Sequence, residues 1–377
     1  MKSGVEFFDS IAEIIESART YVGRTTDLTM CVTYFEIGRM IVEEEQGGKA
    51  RATYGKELLK GLSAYLTGRV GRGFSLSNLK NAKKFYLTYA PQVGQSLRAL
   101  LADTPKGQLP TGQFISPQKS QLMTGLFKVS WTHYVILTRI KNPDERRFYE
   151  LEAESQQWSV DELKRQYNSS LYERLALSRD KGEVTRLAKD GLTVEKSRDI
   201  LKDPLVLEFL NMAEDAAYSE SDLESAIISK LQKFLLELGK GFLFEARQKR
   251  FTFDEKSFFV DLVFYNRLLQ CYVIIDLKTT ELKHQDLGQM MMYVNYFDRY
   301  VKTKHENPTV GILLCKEKDA NIVELTLPEN ANIYASEYSL YLPDKTLLQQ
   351  KLVEWAQEFE EVRGVIEAGD DTAEFDE

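Results

Sequence analysis

Cysteine and histidine are scarce in this chain, with three of each among 377 residues. Cys31, Cys271 and Cys315 lie far apart, and no cysteine and histidine have the spacing of a zinc site. An odd number of separated cysteines, two of them inside apolar runs, indicates buried reduced thiols. The composition therefore argues against a disulfide-stapled secreted domain and against a zinc finger.

Long apolar runs are also missing. No stretch of about 18 apolar residues is present, so no transmembrane helix is predicted. The first 20 residues contain acids and lack the apolar core and cleavage site of a signal peptide. We therefore expect a cytoplasmic protein without a membrane partner. Hydrophobic residues make up 43% of the chain, which is enough for two or three domains with cores of their own.

Acidic residues are nearly absent from one long segment. Residues 49–141 contain 15 lysines and arginines but only two acids, Glu57 and Asp103, which gives a net charge of +13. The whole chain carries −8 because residues 201–377 alone carry −14. Since charge must be considered domain by domain, the acidic total does not argue against a polyanionic partner such as DNA.

The basic segment has the pattern of a helix-turn-helix unit. An amphipathic helix is predicted over 54–66, glycines break it over 68–73, and Ser75 or Ser77 would cap a helix over 78–89. Its cations either contact phosphates, which we favour, or form the solvated face of an ordinary helical bundle. The predicted phosphate contacts are Arg69, Arg72, Lys80, Lys83 and Lys84.

The pattern along the chain predicts two domains. Residues 1–175 form a helical, DNA-binding domain, and residues 176–200 form a charged linker that is poor in large apolar residues. Residues 201–355 combine strands and helices in an α/β domain. Residues 356–377 hold the end of the last helix and an acidic tail.

Several elements within these domains have predicted limits. Two separate helices are expected within 5–45, and a mobile loop is expected over 91–126. Pro204 is expected to open a helix, and one long helix is expected over 221–240. Three strands are predicted within 242–277, the last two joined by a tight turn.

Two acidic residues interrupt apolar strands of the second domain. Asp261 lies inside FFVDLVFY, and Asp276 ends CYVIID, just before Leu277 and Lys278. The tight turn predicts antiparallel strands, which place Asp261 close to opposite Asp276. Strand alternation places Asp276 and Lys278 on one face. Burial of an unpaired carboxylate is costly, so the fold alone does not explain either aspartate.

Two acids and a lysine in this arrangement suit hydrolysis of a phosphodiester. The reaction needs an activated water and neutralisation of charge on phosphate oxygens, and carboxylate-bound Mg²⁺ supplies both. Mn²⁺ is an acceptable substitute. Lys278 would orient or deprotonate the water, or stabilise the developing charge. The alternative is a structural Asp–Lys ion pair at the end of the sheet.

The chain resembles the PD-(D/E)xK nuclease superfamily, and more closely its YhcG-like bacterial branch. The segments that carry the resemblance span nearly the whole chain and include YGKELLKGLSAYL, GRGFSLSNLK, FLLELGKGF, DLVFY, DLK and GQMMMYVNYFD. The resemblance implies a helical, helix-turn-helix-like N-terminal domain. It also implies a C-terminal restriction-endonuclease-like domain whose mixed central sheet is flanked by helices.

The resemblance also implies roles for single residues. Asp261 and Asp276 correspond to metal-binding acids, although the branch usually has glutamate in place of Asp276, and Lys278 corresponds to the catalytic lysine. Glu237 resembles an acid of the preceding helix that ligates the metal or holds a water. A final pair resembles the Gln-x-x-x-Tyr of the next helix and either serves catalysis or packs as an ordinary polar pair: Gln289 and Tyr293.

The expected function is Mg²⁺-dependent endonucleolytic hydrolysis of DNA, delivered to the site by the basic N-terminal domain. Duplex or branched DNA is the expected partner, and the two-fold symmetry of a duplex favours a homodimer. One alternative is a catalytically silent DNA-binding or architectural subunit of a restriction-modification or recombination system. A second alternative is an RNA endonuclease.

Overall fold

Two compact units, Met1–Leu163 and Lys164–Glu377, make up the chain in a computed structural model. The predicted loop from residue 102 onward and the predicted tail lie outside the described residues. No described helix is long and apolar enough to cross a membrane. The structure describes residues 2–47, 52–101, 127–179, 181–213, 217–253, 255–328 and 330–352.

The first unit is helical. α4 and α5 are short, and α6 contains the division between the two units. Within its described residues the helices are α1 (Lys2–Gly47), α2 (Ala52–Arg69), α3 (Leu76–Leu101), α4 (Trp131–Leu137), α5 (Pro143–Ser155) and α6 (Val160–Asn168).

The prediction of two helices within 5–45 is wrong, because α1 is continuous. Threonines in its middle bond within the helix instead of forming a turn. The hydroxyls of Thr26, Thr29 and Thr33 each donate to the carbonyl four residues earlier, at 2.8–2.9 Å. Likewise α3 does not end near residue 89 but continues past Pro91 to Leu101.

The turn between α2 and α3 has the predicted glycine-containing form. Gly71 and Gly73 have φ values of +102° and +114°, a region that favours glycine. Ser75 is the cap, since its Oγ accepts from the Asn78 backbone N–H at 3.3 Å. The Asn78 side chain donates to the Gly73 carbonyl and accepts from Trp131 Nε1 at 3.1 Å, which fixes the turn to α4.

The second unit contains a mixed sheet, as predicted. Across the sheet the strand order is β1–β6–β5–β4–β3–β2, with parallel pairs from β1 to β4 and antiparallel pairs from β4 to β2. Within the described residues the strands are β1 (Leu205–Val206), β2 (Phe242–Phe253), β3 (Lys256–Asn266), β4 (Cys271–Leu277), β5 (Val310–Cys315) and β6 (Ile333–Ser339).

Helices cover both faces of the sheet, which confirms the predicted architecture. Ile274 and Ile275 belong to different hydrophobic clusters because successive strand residues point to opposite faces. The helices are α7 (Leu171–Leu177), α8 (Lys181–Asp190), α9 (Glu220–Ser229), α10 (Leu231–Leu238), α11 (His284–Tyr296), which continues as a π-helical turn to Val301, and α12 (Ala320–Thr326).

Two helix predictions in this unit are wrong. Pro204 is followed by β1, because Leu205 and Val206 pair with β6 instead of forming a helix. The long helix over 221–240 is two helices, because Lys230 leaves helical geometry with φ −125°. α9 also begins earlier than predicted, since Ser219 and Asp222 form its capping box.

The predicted linker, 176–200, is folded. It contains α8 and a 3₁₀ turn, and the buried Asp199 carboxylate accepts from the backbone N–H groups of Glu195 and Lys196 at 2.8 and 2.7 Å. These residues belong to the second compact unit, which begins at Lys164. The predicted limits of the two domains remain a prediction.

Candidate functional site

The two aspartates meet at the end of the β3–β4 pair. Leu262 is opposite Ile275, so the next step along the two antiparallel strands places Asp261 opposite Asp276. Asp261 Oδ2 accepts from the Leu277 backbone N–H at 2.8 Å. The antiparallel pairing predicted from the tight turn is therefore confirmed, and it draws Asp261 against β4.

Lys278 completes the group from the next position in the chain. Its backbone N–H donates to the Leu314 carbonyl on β5 at 2.7 Å, which holds the residue at the sheet end. Its Nζ lies 2.8 Å from Asp276 Oδ2 and 3.6 Å from Glu220 Oε2. The structure thus brings Asp261, Asp276 and Lys278 together.

Burial and neighbouring negative charges raise the pKa values of the two carboxyl groups of the site. Burial and the neighbouring Asp261 charge raise the pKa of Asp276 from 3.8 to about 6, although Lys278 opposes the shift. Burial also raises the pKa of Asp261, against the hydrogen bonds from Leu277 and Gln248. Burial would lower the pKa of Lys278, but Asp276 and Glu220 raise it. One additional positive charge would relieve the repulsion between the carboxylates.

A divalent cation fits this donor set. Asp276 Oδ2 is buried, and among the described residues the Lys278 ammonium at 2.8 Å is its partner, with no further hydrogen-bond donor. Mg²⁺ is commonly held by one or two carboxylates together with water and substrate phosphate oxygens. Within the described part of the chain, no cluster of three or more His, Cys, Asp or Glu side chains is arranged around a metal position.

Glu224 and Gln248 belong to the same group of side chains, and sequence reasoning missed both. One amide nitrogen, Gln248 Nε2, donates to Glu224 Oε2 and also to Asp261 Oδ1 at 3.0 Å. The buried Glu224 carboxylate also accepts from Arg247 Nε. A signal for Glu224 was present, because Glu220 and Glu224 are four residues apart on α9 and share one helix face.

Gln248 has an unusual backbone. It lies opposite Asp261 in the β2–β3 register, between the pairs Arg247–Leu262 and Lys249–Val260. Its φ of +47° falls in the left-handed region, which is strained for a residue with a Cβ. The hydrogen bonds to the two carboxylates require this position of the side chain.

Glu237 does not join the aspartates, contrary to the role that its sequence position suggested. It is fully buried, and Arg174 Nη1 donates to Oε1 at 2.7 Å while Arg165 Nη2 donates to Oε2 at 3.0 Å. The Val206 backbone N–H also donates to Oε1, at 3.1 Å. Burial would raise the pKa of Glu237, but Arg174, Lys202 and Arg165 hold it at about 2. Glu237 is thus a structural anion.

Gln289 and Tyr293 form the predicted pair on α11. The Gln289 side-chain amide donates to the Tyr293 hydroxyl. Tyr293 is buried, and its pKa is raised by burial and by the charges of Asp276 and Asp261, against the Gln289 hydrogen bond. The pair therefore lies within electrostatic reach of the aspartates. Whether it contacts phosphate remains a prediction.

The five cations predicted to contact phosphate differ in their surroundings. Arg72, Lys80 and Lys84 are exposed. Lys83, by contrast, forms an ion pair with Glu45. Arg69 lies 5.8 Å over the Tyr65 ring and donates to its hydroxyl at 2.5 Å.

Comparison with known proteins identifies the family. A model of the YhcG PDDEXK nuclease domain matches residues 198–353, and a model of the DUF1016 N-terminal domain matches residues 10–174. "Putative nuclease YhcG" of Escherichia coli (strain K12) is 40% identical over 351 residues, which span 92% of this chain and 93% of that protein. The chain belongs to the YhcG family. Residues 198–353, which lie in its second unit, are accordingly the PDDEXK nuclease domain of that family.

Solved structures resemble the YhcG family chain only distantly. A repair endonuclease from Pyrococcus abyssi is 20% identical with a TM-score of 0.23, over 35% of this chain and 50% of that chain. The EndoMS–dsDNA2 complex is 18% identical with a TM-score of 0.24, over 35% of this chain and 49% of that chain. Matches this distant carry no argument about the site.

Replacement of Glu237 by glutamine should destabilise the second unit by about 3–5 kcal/mol, because the buried Arg174 loses its counter-charge. The contribution of Glu237 is fully present above its ordinary pKa of 4.5 and is lost as the pH falls toward about 2. Urea unfolding at several pH values measures both effects. The matched control, Glu245→Gln, alters only a half-exposed ion pair with Lys249 and should cost less than about 1 kcal/mol. Equal stability of the two variants would contradict the structural role.

Proposed function

We propose that this YhcG family protein is a metal-dependent endonuclease that hydrolyses DNA phosphodiesters. The observation that carries the proposal is the convergence of Asp261, Asp276 and Lys278 at one sheet end. A structural ion pair explains Lys278 and Asp276 but gives no reason for a second aspartate beside them. An assembly whose acids repel one another is costly unless a cation binds there.

Asp261 and the Asp276 Oδ2 oxygen would hold the metal, Mg²⁺ or Mn²⁺. A bound divalent ion supplies a Lewis acid for the phosphate and lowers the pKa of a coordinated water. The Leu277 backbone N–H and the Gln248 amide orient the Asp261 carboxylate from two sides. The chain itself therefore sets the direction of the carboxylate before substrate arrives.

Lys278 acts as a fixed positive charge. Its raised pKa, maintained by Asp276 and Glu220, keeps it protonated at neutral pH. In this protonated state Lys278 can orient the water or stabilise charge on the phosphate oxygens. Of the roles expected from the sequence, these two are the ones that its surroundings favour.

The first unit is proposed to bind the DNA backbone. Arg72 lies in the turn that Asn78 fixes, and Lys80 and Lys84 lie one helical turn apart on the exposed side of α3. Fixed cations with this spacing can contact neighbouring phosphates without reading bases. The ion pair with Glu45 makes Lys83 a weaker candidate.

Alanine at Asp261 or at Lys278 should reduce metal-dependent DNA cleavage by at least about 100-fold, because a metal ligand or the fixed charge is lost. DNA binding measured without divalent metal should survive, since the basic first unit is unchanged. A suitable panel contains duplex, branched and single-stranded DNA and matched RNA. Glu324→Ala, which removes an exposed carboxylate of α12, is the control and should cleave normally. Wild-type cleavage by the Asp261 variant would refute the proposal.

Metal affinity should weaken as the pH falls through about 6, because a proton then competes with the metal for Asp276. An ordinary aspartate with a pKa of 3.8 would show this loss only at more acidic pH. Calorimetric titration of Mn²⁺ into the protein at pH 7.5, 6 and 5 measures the effect. Unchanged affinity across this range would show that Asp276 is not a ligand with a raised pKa.

Alanine at Arg72, Lys80 and Lys84 together should weaken DNA binding and reduce its salt dependence. Each lost phosphate contact lowers the slope of log K against log salt by about 0.9 on duplex DNA. Anisotropy titrations at several salt concentrations measure the slope. Lys83→Ala, which removes a cation already paired with Glu45, should change it least. A slope that the triple variant leaves unchanged would contradict binding through these residues.

A further inference from the structure

The hairpin of β2 and β3 extends beyond the rest of the sheet. β3 pairs with β4 only over Leu262–Asn266, whereas its pairing with β2 continues to Phe253 opposite Lys256. The outer part of this hairpin, residues 249–260, therefore begins at the sheet end that carries Asp261 and packs beside α11. We call it the distal hairpin.

One face of the distal hairpin is packed. Phe251 stacks on Phe258 with ring centroids 5.4 Å apart and on Tyr296 of α11 at 4.0 Å. Phe251 also meets Tyr293 edge to face at 5.7 Å. These contacts hold the hairpin against α11, so its other face has a defined position.

The other face begins beside the candidate site. It carries Phe259 and Arg250, because Phe251, Phe258 and Val260 on the packed face belong to the hydrophobic cluster of α11. Arg250 lies directly opposite Phe259 in the register. The Arg250–Phe259 rung is thus two residues, or about 7 Å, from the Gln248–Asp261 rung along the strands.

This rung presents an aromatic ring and a cation to solvent. The Phe259 side chain is 47% exposed, whereas Phe251 is buried and Phe258 is partly buried. Arg250 Nε and Nη2 donate to Ser257 Oγ at 3.1 and 2.8 Å, which fixes the guanidinium on the same face. A lone exposed phenylalanine is unremarkable on a protein surface. Its position beside a fixed guanidinium, two residues along the strand from Asp261, is not explained by packing.

The charge of the distal hairpin indicates which kind of ligand binds there. Residues 201–377 carry a net charge of −14, yet residues 247–256 contain four cations and two acids. Arg247 pairs with Glu224 and Lys249 pairs with Glu245, whereas Arg250 and Lys256 are exposed and beyond these two ion pairs. A distal hairpin with exposed cations and an exposed aromatic ring, on an acidic domain, suits a polyanion with accessible aromatic faces. Unpaired nucleotides have both properties.

We propose that Phe259 and Arg250 form a subsite for an unpaired nucleotide of DNA, next to Asp261. The inference rests on the proposed function and specifies its substrate as DNA with unpaired nucleotides beside the cut, single-stranded or branched. Phe259 would stack on the base, and Arg250 would contact the adjacent phosphate. A base inside an intact duplex has both faces covered, so a flush duplex cannot use the ring.

The test compares two DNA forms with the full-length protein in EDTA, where no cleavage occurs. Phe259→Ala should weaken binding of single-stranded and forked DNA by about 5- to 100-fold and change flush-duplex binding less than about two-fold. Leu243→Ala, which shortens an equally exposed side chain at the other end of β2, should change neither. Anisotropy of labelled DNA of one sequence provides all the affinities.

Phe259→Trp provides a second readout that does not depend on loss of affinity. It should retain single-strand binding, and its fluorescence should fall on binding single-stranded DNA but not flush duplex, as a stacked indole requires. No change with either substitution, or equal weakening of both DNA forms by Phe259→Ala, would overturn the subsite.

The outcome can be separated from that of the proposed function. Unchanged binding of unpaired DNA by Phe259→Ala, together with Asp261-dependent cleavage by the wild-type protein, would overturn the subsite alone. Absence of metal-dependent cleavage by the wild-type protein would overturn the proposed function, and the binding comparison in EDTA would still decide the subsite.

Discussion

The pairing of β3 with β4 sets two like charges against each other at the end of an apolar sheet. β4 is buried along most of its length and β3 is mostly buried from Val260 to Asn266, so neither Asp261 nor Asp276 can turn away into solvent without breaking the ladder. The surrounding polar groups all respond to this constraint: Leu277 and Gln248 hold one carboxylate, and Lys278 neutralises the other. The pKa of Asp276 stays raised, because burial and the Asp261 charge outweigh the effect of Lys278.

Local sequence was sufficient to predict this pair of strands. The apolar runs, the tight turn and the single acid in each strand are short-range signals, and the register follows from the turn. The basic turn between α2 and α3 was predictable for the same reason, since glycines and a serine cap lie within a few residues. The continuous α1 was not predictable from the local sequence, because its threonine hydroxyls form hydrogen bonds inside the helix.

The different roles of Glu237 and Glu224 could not be predicted from the sequence. Both are glutamates on helices that precede the sheet, 13 residues apart in sequence. Only tertiary contacts separate them: Arg165 and Arg174 surround Glu237, whereas Arg247 and Gln248 bring Glu224 to Asp261. No pattern in the chain specifies which arginine meets which glutamate. The break at Lys230 between α9 and α10 was equally unpredictable, because the amphipathic pattern of the sequence continues through it.

The buried pair of Arg174 with Glu237 also bears on how the chain can be divided. The nuclease-domain match begins at residue 198, but the two arginines that neutralise Glu237 come before it. A fragment cut at that point would keep the carboxylate inside its core and lose both arginines, leaving Lys202 as the remaining nearby cation. The smallest self-sufficient piece of the second unit therefore begins upstream of Arg165. The segment that holds Arg165 and Arg174 takes no part in the chemistry, yet the nuclease domain needs it to fold.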